Sequence, residues 1–464
     1  MLPTLREPRA AISPAFSMRK TGLWLLPLLL GLALPAHATI FTVTSNADTA
    51  GATCAAGCTL RQAITAANAD AAAVSTINFN IPGTGVHRIT IDAILPNVNH
   101  TTTINGYTQP GSRPNSLASG DDRVILIELT ASTTLADGLF ITADNCTVKG
   151  LAVFGFTSGI RIGSSASNSA NNSTISGNFI GLSADGTTDM GFFGGSGVAV
   201  SAANNSVVGG LSPASRNVIA GYFGGVRSFG VNIANVAMNV TVINNYIGTD
   251  AQGVLDRGNG TAVLIASGAS GWTVGNDASP NLLAFSGGGG AEVFDAGNNN
   301  RVFANDYVKN QNSGIDLAEA NLRGNTPNDA DDADTGPNNL QNFPVVATAV
   351  QNYGTVVLTG ALDVPHTPTV VVQNFTIGLY SSGACHSSGR GPGELYLGSR
   401  PAGLIDGGAI LTEGFTLSLT ARPPRSSKIT ATATDSNGNT SEFSSCVTLT
   451  QGDGIFEHGF EAVP

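Results

Sequence analysis

The stretch STISGNFIGLSADGTTDMG (173–191) recurs in altered form as VTVINNYIGTDAQGVLDRG (240–258). A second unit alternates with it, since VVGGLSPASRNVIAG (207–221) resembles TVGNDASPNLLAFSG (273–287). Taking the central aliphatic of each unit, Val148, Ile175, Val208, Val242, Val274 and Val302, the steps are 27, 33, 34, 32 and 28 residues, so like units recur every 66 or 67. Between these anchors lies a shorter signature of alternating aliphatics: GLFI (138–141), GIRI (159–162), GVAV (197–200), AVLI (262–265) and GIDL (314–317). Such runs have the period of two that belongs to short strands. Asn and Gly cluster at their ends, where turns call for left-handed backbone. A period of about 30 residues with two or three short strands and one inward face is the mark of a solenoid, here a parallel β-helix. An antiparallel sandwich or propeller would show hairpin turns and a different repeat length.

A solenoid exposes its ends, and open strand edges invite aggregation. The segment CAAGCTLRQAITAAN (54–68) reads as a plug for the first end. Thr59 followed by Gln62 forms a capping-box pattern, and Leu60, Ala63, Ile64 and Ala67 fall on one helical face. The helix is expected to lie across the N-terminal mouth.

Composition agrees with this reading. The chain has 58 glycines in 464 residues, 11% charged residues and 6% aromatics, which excludes most helical folds. Arg19-Lys20, the apolar run Leu23 to Leu34 and Ala36-His37-Ala38 match the three regions of a secretory signal, with a mature start expected at Thr39. Pro27 and Pro35 interrupt the run, which is short of the roughly 20 residues a membrane span needs. Met18 precedes the basic pair directly, so the true start is expected there or at Met1. Residues 1–38 carry four basic residues against Glu7, so the mature chain goes from a net charge of −11 to −14. Nucleic acid and anionic membranes are excluded as partners on that balance. No later segment is apolar enough to span a bilayer.

Export gives the five cysteines a meaning, because thiols outside the cytoplasm oxidise. Cys54 pairs with Cys58 by proximity, Cys385 pairs with Cys446 within the C-terminal region, and Cys146 remains as a small buried side chain in the solenoid core.

Several segments together resemble a known group. IFTVTSNADT (40–49), CAAGCTLRQAITAAN (54–68) and INFNIPG (77–83) look like the N-terminal module of exported bacterial proteins named for a Cys-Ser-Leu-Arg-Glu-Ala signature, the CSLREA proteins. INGYTQPGSRPNSLASG (104–120), NYIGTDAQG (245–253), NDADDADTGPNNLQNFPVV (328–346) and ITATATDSNGNTSEFSSCV (429–447) also resemble segments of that group. Thr59 and Gln62 stand where the signature has Ser and Glu, which keeps the capping box. The resemblance implies a secreted right-handed parallel β-helix and carries no established activity.

After Pro344 the repeat stops. TVVLTG (355–360), TVVVQNFTIGLY (369–380), GELYLGS (393–399), FTLSLT (415–420) and KITATATD (428–435) alternate like strands of a small antiparallel, immunoglobulin-like β-sandwich. The organisation expected is a signal peptide over 1–38, a cap module over 39–88, the β-helix over 89–343, the sandwich over 344–450 and a Gly-Phe-Glu tail over 451–464.

No catalytic set is complete in the sequence, where the pair Asp121-Asp122 lies in a loop near the start. Hydrolases of the pectate-lyase-like fold carry clustered aspartates with a Gly-His-Gly and an Arg-x-Lys, and neither tripeptide occurs. Basic residues of the coils, such as Arg161, Arg227 and Lys309, read as isolated, and no residue is assigned a catalytic role. Binding has two candidate features. GFFGG (191–195) and GYFGG (221–225) lie 30 residues apart, about one coil, so Phe192 would stack with Tyr222 and Phe193 with Phe223, an aromatic face for a sugar. The competing reading is an internal stack, and alternation requires one of each pair to point inward. NDADDADTGPNN (328–339) crowds carboxylates at the boundary of the two modules. Asp332-x-Asp334-x-Gly336-x-Asn338, with Asp329 nearby, alternates oxygen ligands as calcium loops do, with glycine placed for a sharp turn. The competing reading is a solvated acidic linker. The function expected is an exported, non-catalytic protein that binds a polysaccharide or cell-surface glycan, with Ca2+ as its cofactor. The alternatives are a polysaccharide lyase or hydrolase and a structural spacer.

Overall fold

The computed structural model describes residues 38–164, 170–191, 194–228, 237–295, 297–318, 324–365, 372–405, 413–421, 423–424 and 427–452. The expected signal peptide, apart from Ala38, and the end of the C-terminal tail lie outside them, as do Phe192 and Phe193.

Three parallel sheets of nine, eight and seven strands run through residues 39–318, consistent with a parallel β-helix. One coil shows the plan: Thr174–Ser176 belongs to the first sheet, Phe179–Ile180 to the second and Ser196–Val200 to the third, before Val207–Gly209 returns to the first. The six aliphatic anchors of the repeat are direct partners, Val148 with Ile175, Ile175 with Val208, Val208 with Val242, Val242 with Val274 and Val274 with Val302. The GxxI-type signatures form the third sheet in the same way, Leu139 beside Ile160 and Ile160 beside Val198. Two members were disguised in the sequence, Gly224–Ser228 and Ala291–Phe294. Inward aliphatics from all three sheets make one continuous core.

The corner between the first and second sheets explains the asparagines. Gly177 and Asn244 take left-handed backbone there, with φ of 69° and 58°. The next residue in each case turns its amide inward. Asn178, Asn217, Asn245, Asn281 and Asn305 stack in a buried ladder in which each Nδ2 donates to the next Oδ1 at 2.8–3.2 Å. Each Nδ2 from Asn217 to Asn305 also donates to the carbonyl of an anchor residue, as Asn245 does to Val208 at 2.9 Å. Cys146 precedes its strand as Ser173 and Ser206 precede theirs. It is buried and unbridged, and its Sγ accepts the Thr102 N–H at 3.4 Å. Burial raises that thiol to about 11.

The one α-helix of the described residues, Leu60–Asn68, has the expected box: Thr59 Oγ1 accepts the Gln62 N–H, and Gln62 Oε1 accepts the Thr59 N–H at 3.0 Å. Leu60, Ala63, Ile64 and Ala67 are buried against Thr39–Val43 and Ser75–Phe79, the first two strands of the first sheet. Cys54 and Cys58 are bridged, with Cα atoms 4.8 Å apart. No helix of the described residues is long and apolar enough to cross a membrane.

Two four-stranded sheets follow. Val345–Asn352, Thr355–Leu362, Glu413–Thr420 and Thr450–Gln451 build one, and Val372–Ser382, Leu395–Ile405, Lys428–Thr434 and Val447–Thr448 the other. They share a core of Val356, Leu358, Ile377, Leu379 and Ala431. Pairing is antiparallel except between Val350–Gln351 and Thr450–Gln451. Cys385 and Cys446 are bridged, with Cα atoms 6.1 Å apart. This module sits on the last coil and supplies acceptors to its open N–H groups. Val302 donates to Thr440 Oγ1 (3.1 Å), Ala304 to Tyr380 Oη (3.2 Å), Tyr307 to the Gly393 carbonyl (3.0 Å) and Leu317 to Glu442 Oε1 (3.1 Å). Phe443 packs edge to face on Tyr307 and Tyr380 at the same joint, 5.4 and 4.9 Å between centroids, and the two tyrosine rings lie tilted at 6.2 Å. Amides that would otherwise be left unpaired at a sheet edge are thereby satisfied.

Candidate functional site

The acidic segment between the modules is drawn against the sandwich rather than extended as a linker. Asp331 and Asp332 take left-handed backbone, φ 60° and 48°, and this reversal folds the carboxylates together. Asp329, Asp332 and Asp334 each present an oxygen within 4.8 Å of the others, so these three could hold a metal ion. Amide donors orient them. Asp332 accepts from Asn342 N (2.7 Å) and Gln341 Nε2 (3.0 Å), and Asp329 accepts from the N–H groups of Ala333 and Asp334. Burial, with Asp334, Asp329 and Asp363 adding like charge, pushes Asp332 up to about 7.

Two parts of the sequence reading are corrected here. Asn338 is fully buried: its Oδ1 accepts Asn300 N–H (3.0 Å), and its Nδ2 donates to the carbonyls of Asn300 (2.7 Å) and Thr440 (3.2 Å). Its amide is thus engaged in tying the last coil to the sandwich. Gly336 is extended, φ 165°, so the sharp turn is made by the aspartates themselves. Asp363 was missed: it lies 29 residues beyond Asp334, on the sandwich, and accepts the Asp331 N–H at 3.2 Å. Only the folded joint brings it near, and no local pattern marks it.

Asp332 and Asp334 also form part of the wall of a cleft of about 510 Å³. Gln373, Asn374, Asp435 and Asn437 continue the lining from the sandwich. Asp435 is held by the turn it closes, accepting the N–H groups of Asn437 (2.9 Å) and Asn439 (2.8 Å). The cleft is thus concave, rich in amides and carboxylates, and placed where ligands are commonly bound, between two modules.

Tyr222 and Phe223, the members of the aromatic pairs within the described residues, differ in burial. Tyr222 is fully buried in the core, so its ring offers no face to a sugar, and burial raises its hydroxyl far above the usual range. Phe223 is 38% exposed and lies beside Arg227, 5.7 Å from guanidinium to centroid. Phe192 and Phe193 lie outside the described residues, so an exposed aromatic platform has only Phe223 in view.

The basic residues of the coils are not isolated. On the outer face of the third sheet one register row runs through Arg161, Ala199, Arg227, Leu264, Glu292 and Asp316. Arg161 pairs with Asp137 at 3.8 Å and stacks over Phe140 at 4.7 Å. Glu292 and Asp316 are direct neighbours, yet they are 0% and 1% exposed. No protein-family model and no curated protein matches the chain.

Proposed function

We propose that this is an exported, non-catalytic protein that binds glycan in a cation-dependent cleft at the joint of its two modules. The observation that carries the reading is that Asp332 and Asp334 belong at once to the acidic triad and to the cleft wall. Calcium takes six to eight oxygen ligands, so three carboxylates would leave positions for sugar hydroxyls presented in the cleft. Asn437, Gln373 and Asn374 would meet further hydroxyls. The remaining features of the reading are a right-handed coil, membership of the CSLREA group, a helix that caps the N-terminal mouth, a sandwich of immunoglobulin type and export by the first 38 residues.

The lyase or hydrolase alternative would need carboxylates that substrate can reach. Glu292 and Asp316, the adjacent pair of the third sheet, are buried. The test is calorimetric titration of metal-free protein with calcium, followed by retention on neutral and acidic polysaccharides with and without chelator, with product absorbance read in parallel. Calcium heat, chelator-sensitive retention and loss of both in Asp334→Asn are expected. Absence of heat at millimolar calcium would leave an acidic joint stabilised by its amides. Product absorbance would replace binding by catalysis.

A further inference from the structure

The outer face of the second sheet carries a row of registered residues that includes Phe179, Val218, Tyr246, Leu282 and Asp306. The chain between Gly106 and Leu126 lies over the first part of this row, where Ile125 packs with Phe179 and Val218 in a small separate core. Two arginines stack on two aromatic rings of the row, Arg123 over Phe179 at 4.6 Å and Arg216 over Tyr246 at 4.3 Å. Their charges are treated differently. Arg123 is matched by Asp121, whose two carboxylate oxygens accept from its Nε at 2.8 Å. Arg216, 3% exposed, donates from Nη1 and Nη2 to the carbonyls of Leu117, Gly120 and Ala118 and to Asn244 Oδ1, all neutral acceptors. Its Nε is buried with no acceptor, and no carboxylate of the described residues lies within ion-pair distance. Asp121 acts on Arg216 as well, but Arg123 beside it opposes that effect, and a buried cation hydrogen-bonded only to neutral groups is costly unless something supplies the opposite charge.

Arg216 also borders a cavity of about 370 Å³. Leu211, Pro213, Pro280 and Leu282 give it apolar walls, and Asp306 stands among the lining residues. Asp306 Oδ1 accepts the Tyr396 N–H at 2.8 Å, which fixes the carboxylate and leaves Oδ2 to take a hydroxyl. The volume is at the lower end of small-ligand sites. We propose that this cavity is a second ligand site, for one anionic sugar unit. The acid group lies against the Arg216 guanidinium as its counter-charge, the Nη protons keeping their carbonyl and amide acceptors, while the apolar face of the ring lies on Leu282 and the prolines and a hydroxyl donates to Asp306. The class of ligand rests on the glycan reading, but the site does not depend on the cation.

The test is titration of the purified protein, in excess EDTA, with trimers of galacturonate, galacturonate methyl ester and galactose 6-sulfate. The free acid or the sulfate should bind about tenfold tighter than the ester and should weaken as salt rises, as a charge pair does. Which of the two binds tells carboxylate from sulfate ester. Leu282→Trp, which fills the cavity from a half-buried position, should abolish the binding and leave the calcium titration at the joint unchanged. Arg216→Gln should erase the preference for the acid. Should that variant fail to fold, the ester comparison and Leu282→Trp still decide. Equal affinity for acid and ester, unchanged binding by Leu282→Trp, or binding only when calcium is present would overturn the proposal, the last pointing to the cleft at the joint instead.

Discussion

At the scale of the residue, the asparagine ladder does what side chains of a solenoid corner must do. A parallel coil leaves carbonyls at each bend with no strand partner, and a buried carbonyl without a donor is costly. Asn245 answers this by donating to Val208 and Ile243 carbonyls and to Asn281 Oδ1, while its own oxygen accepts from Asn217. Leucine would fill the space but satisfy none of these groups, and aspartate would bring an unpaired charge. Asn245→Ala should therefore cost about 1–3 kcal/mol in a urea unfolding series, the range for stranding buried partners. Asn437→Ala, in an exposed turn, should cost a few tenths of that. Equal effects at the two positions would show that the ladder contributes no more than a surface turn does.

At the scale of the element, the helix is built to end one sheet. Its N-cap is complete and its four apolar residues are buried against the first two strands. Thr59→Ala should cost about 1 kcal/mol, as N-cap deletions do. Deletion of residues 39–68 should do much more, uncovering the Ser75–Phe79 edge with Ile77 and Phe79, and should leave the protein aggregated or protease-sensitive on gel filtration and limited proteolysis. A monomeric, resistant truncation would show that the first coil needs no cover. This helix and the third sheet were legible because their apolar periods, 3.6 and 2, sit inside single segments, and the first sheet because its anchors recur at a nearly regular step even where the strand, as at Thr273–Val274, is two residues long. The second sheet was not: Phe179–Ile180, Val218–Ile219 and Tyr246–Ile247 are two residues long, too short to display alternation. The corner asparagines were visible as a repeat but were read as turn formers, since inward amides and left-handed turns favour the same residue type. Half of the acidic site was legible as a run of aspartates. Asn338 misled because alternation along a chain says nothing about direction once the backbone reverses, and Asp363 and Arg216 act across sequence gaps that no local pattern spans.

At the scale of the whole molecule, the joint holds two carboxyls, Glu442 and Asp332, that burial raises, and this gives it a pH dependence. Glu442 Oε1 accepts Leu317 N–H, and Oε2 accepts Thr326 N–H (3.0 Å) and Arg390 Nη1 (3.2 Å). Burial, with Asp316 adding like charge, still raises it to about 7 against an ordinary 4.5. Asp332 is raised to about 7 as well, against 3.8. A carboxyl whose folded value is raised gives up its proton first in the unfolded chain. Its contribution is full below the unfolded value and is lost as pH climbs through 7. In EDTA the melting temperature should accordingly fall by several degrees between pH 5 and pH 8. General repulsion in a chain of net charge −11 falls in the same direction, so variants must separate the causes. Glu442→Gln and Asp332→Asn should each flatten the profile, whereas Asp92→Asn, at an exposed position, should not. Calcium discriminates further, because it binds the ionised form: saturation should recover the Asp332 share at pH 8, leave the Glu442 share untouched and have little effect at pH 5, where Asp332 holds its proton. A profile in EDTA that is flat, or that rises toward pH 8, would mean that the amides around these carboxylates already outweigh their burial.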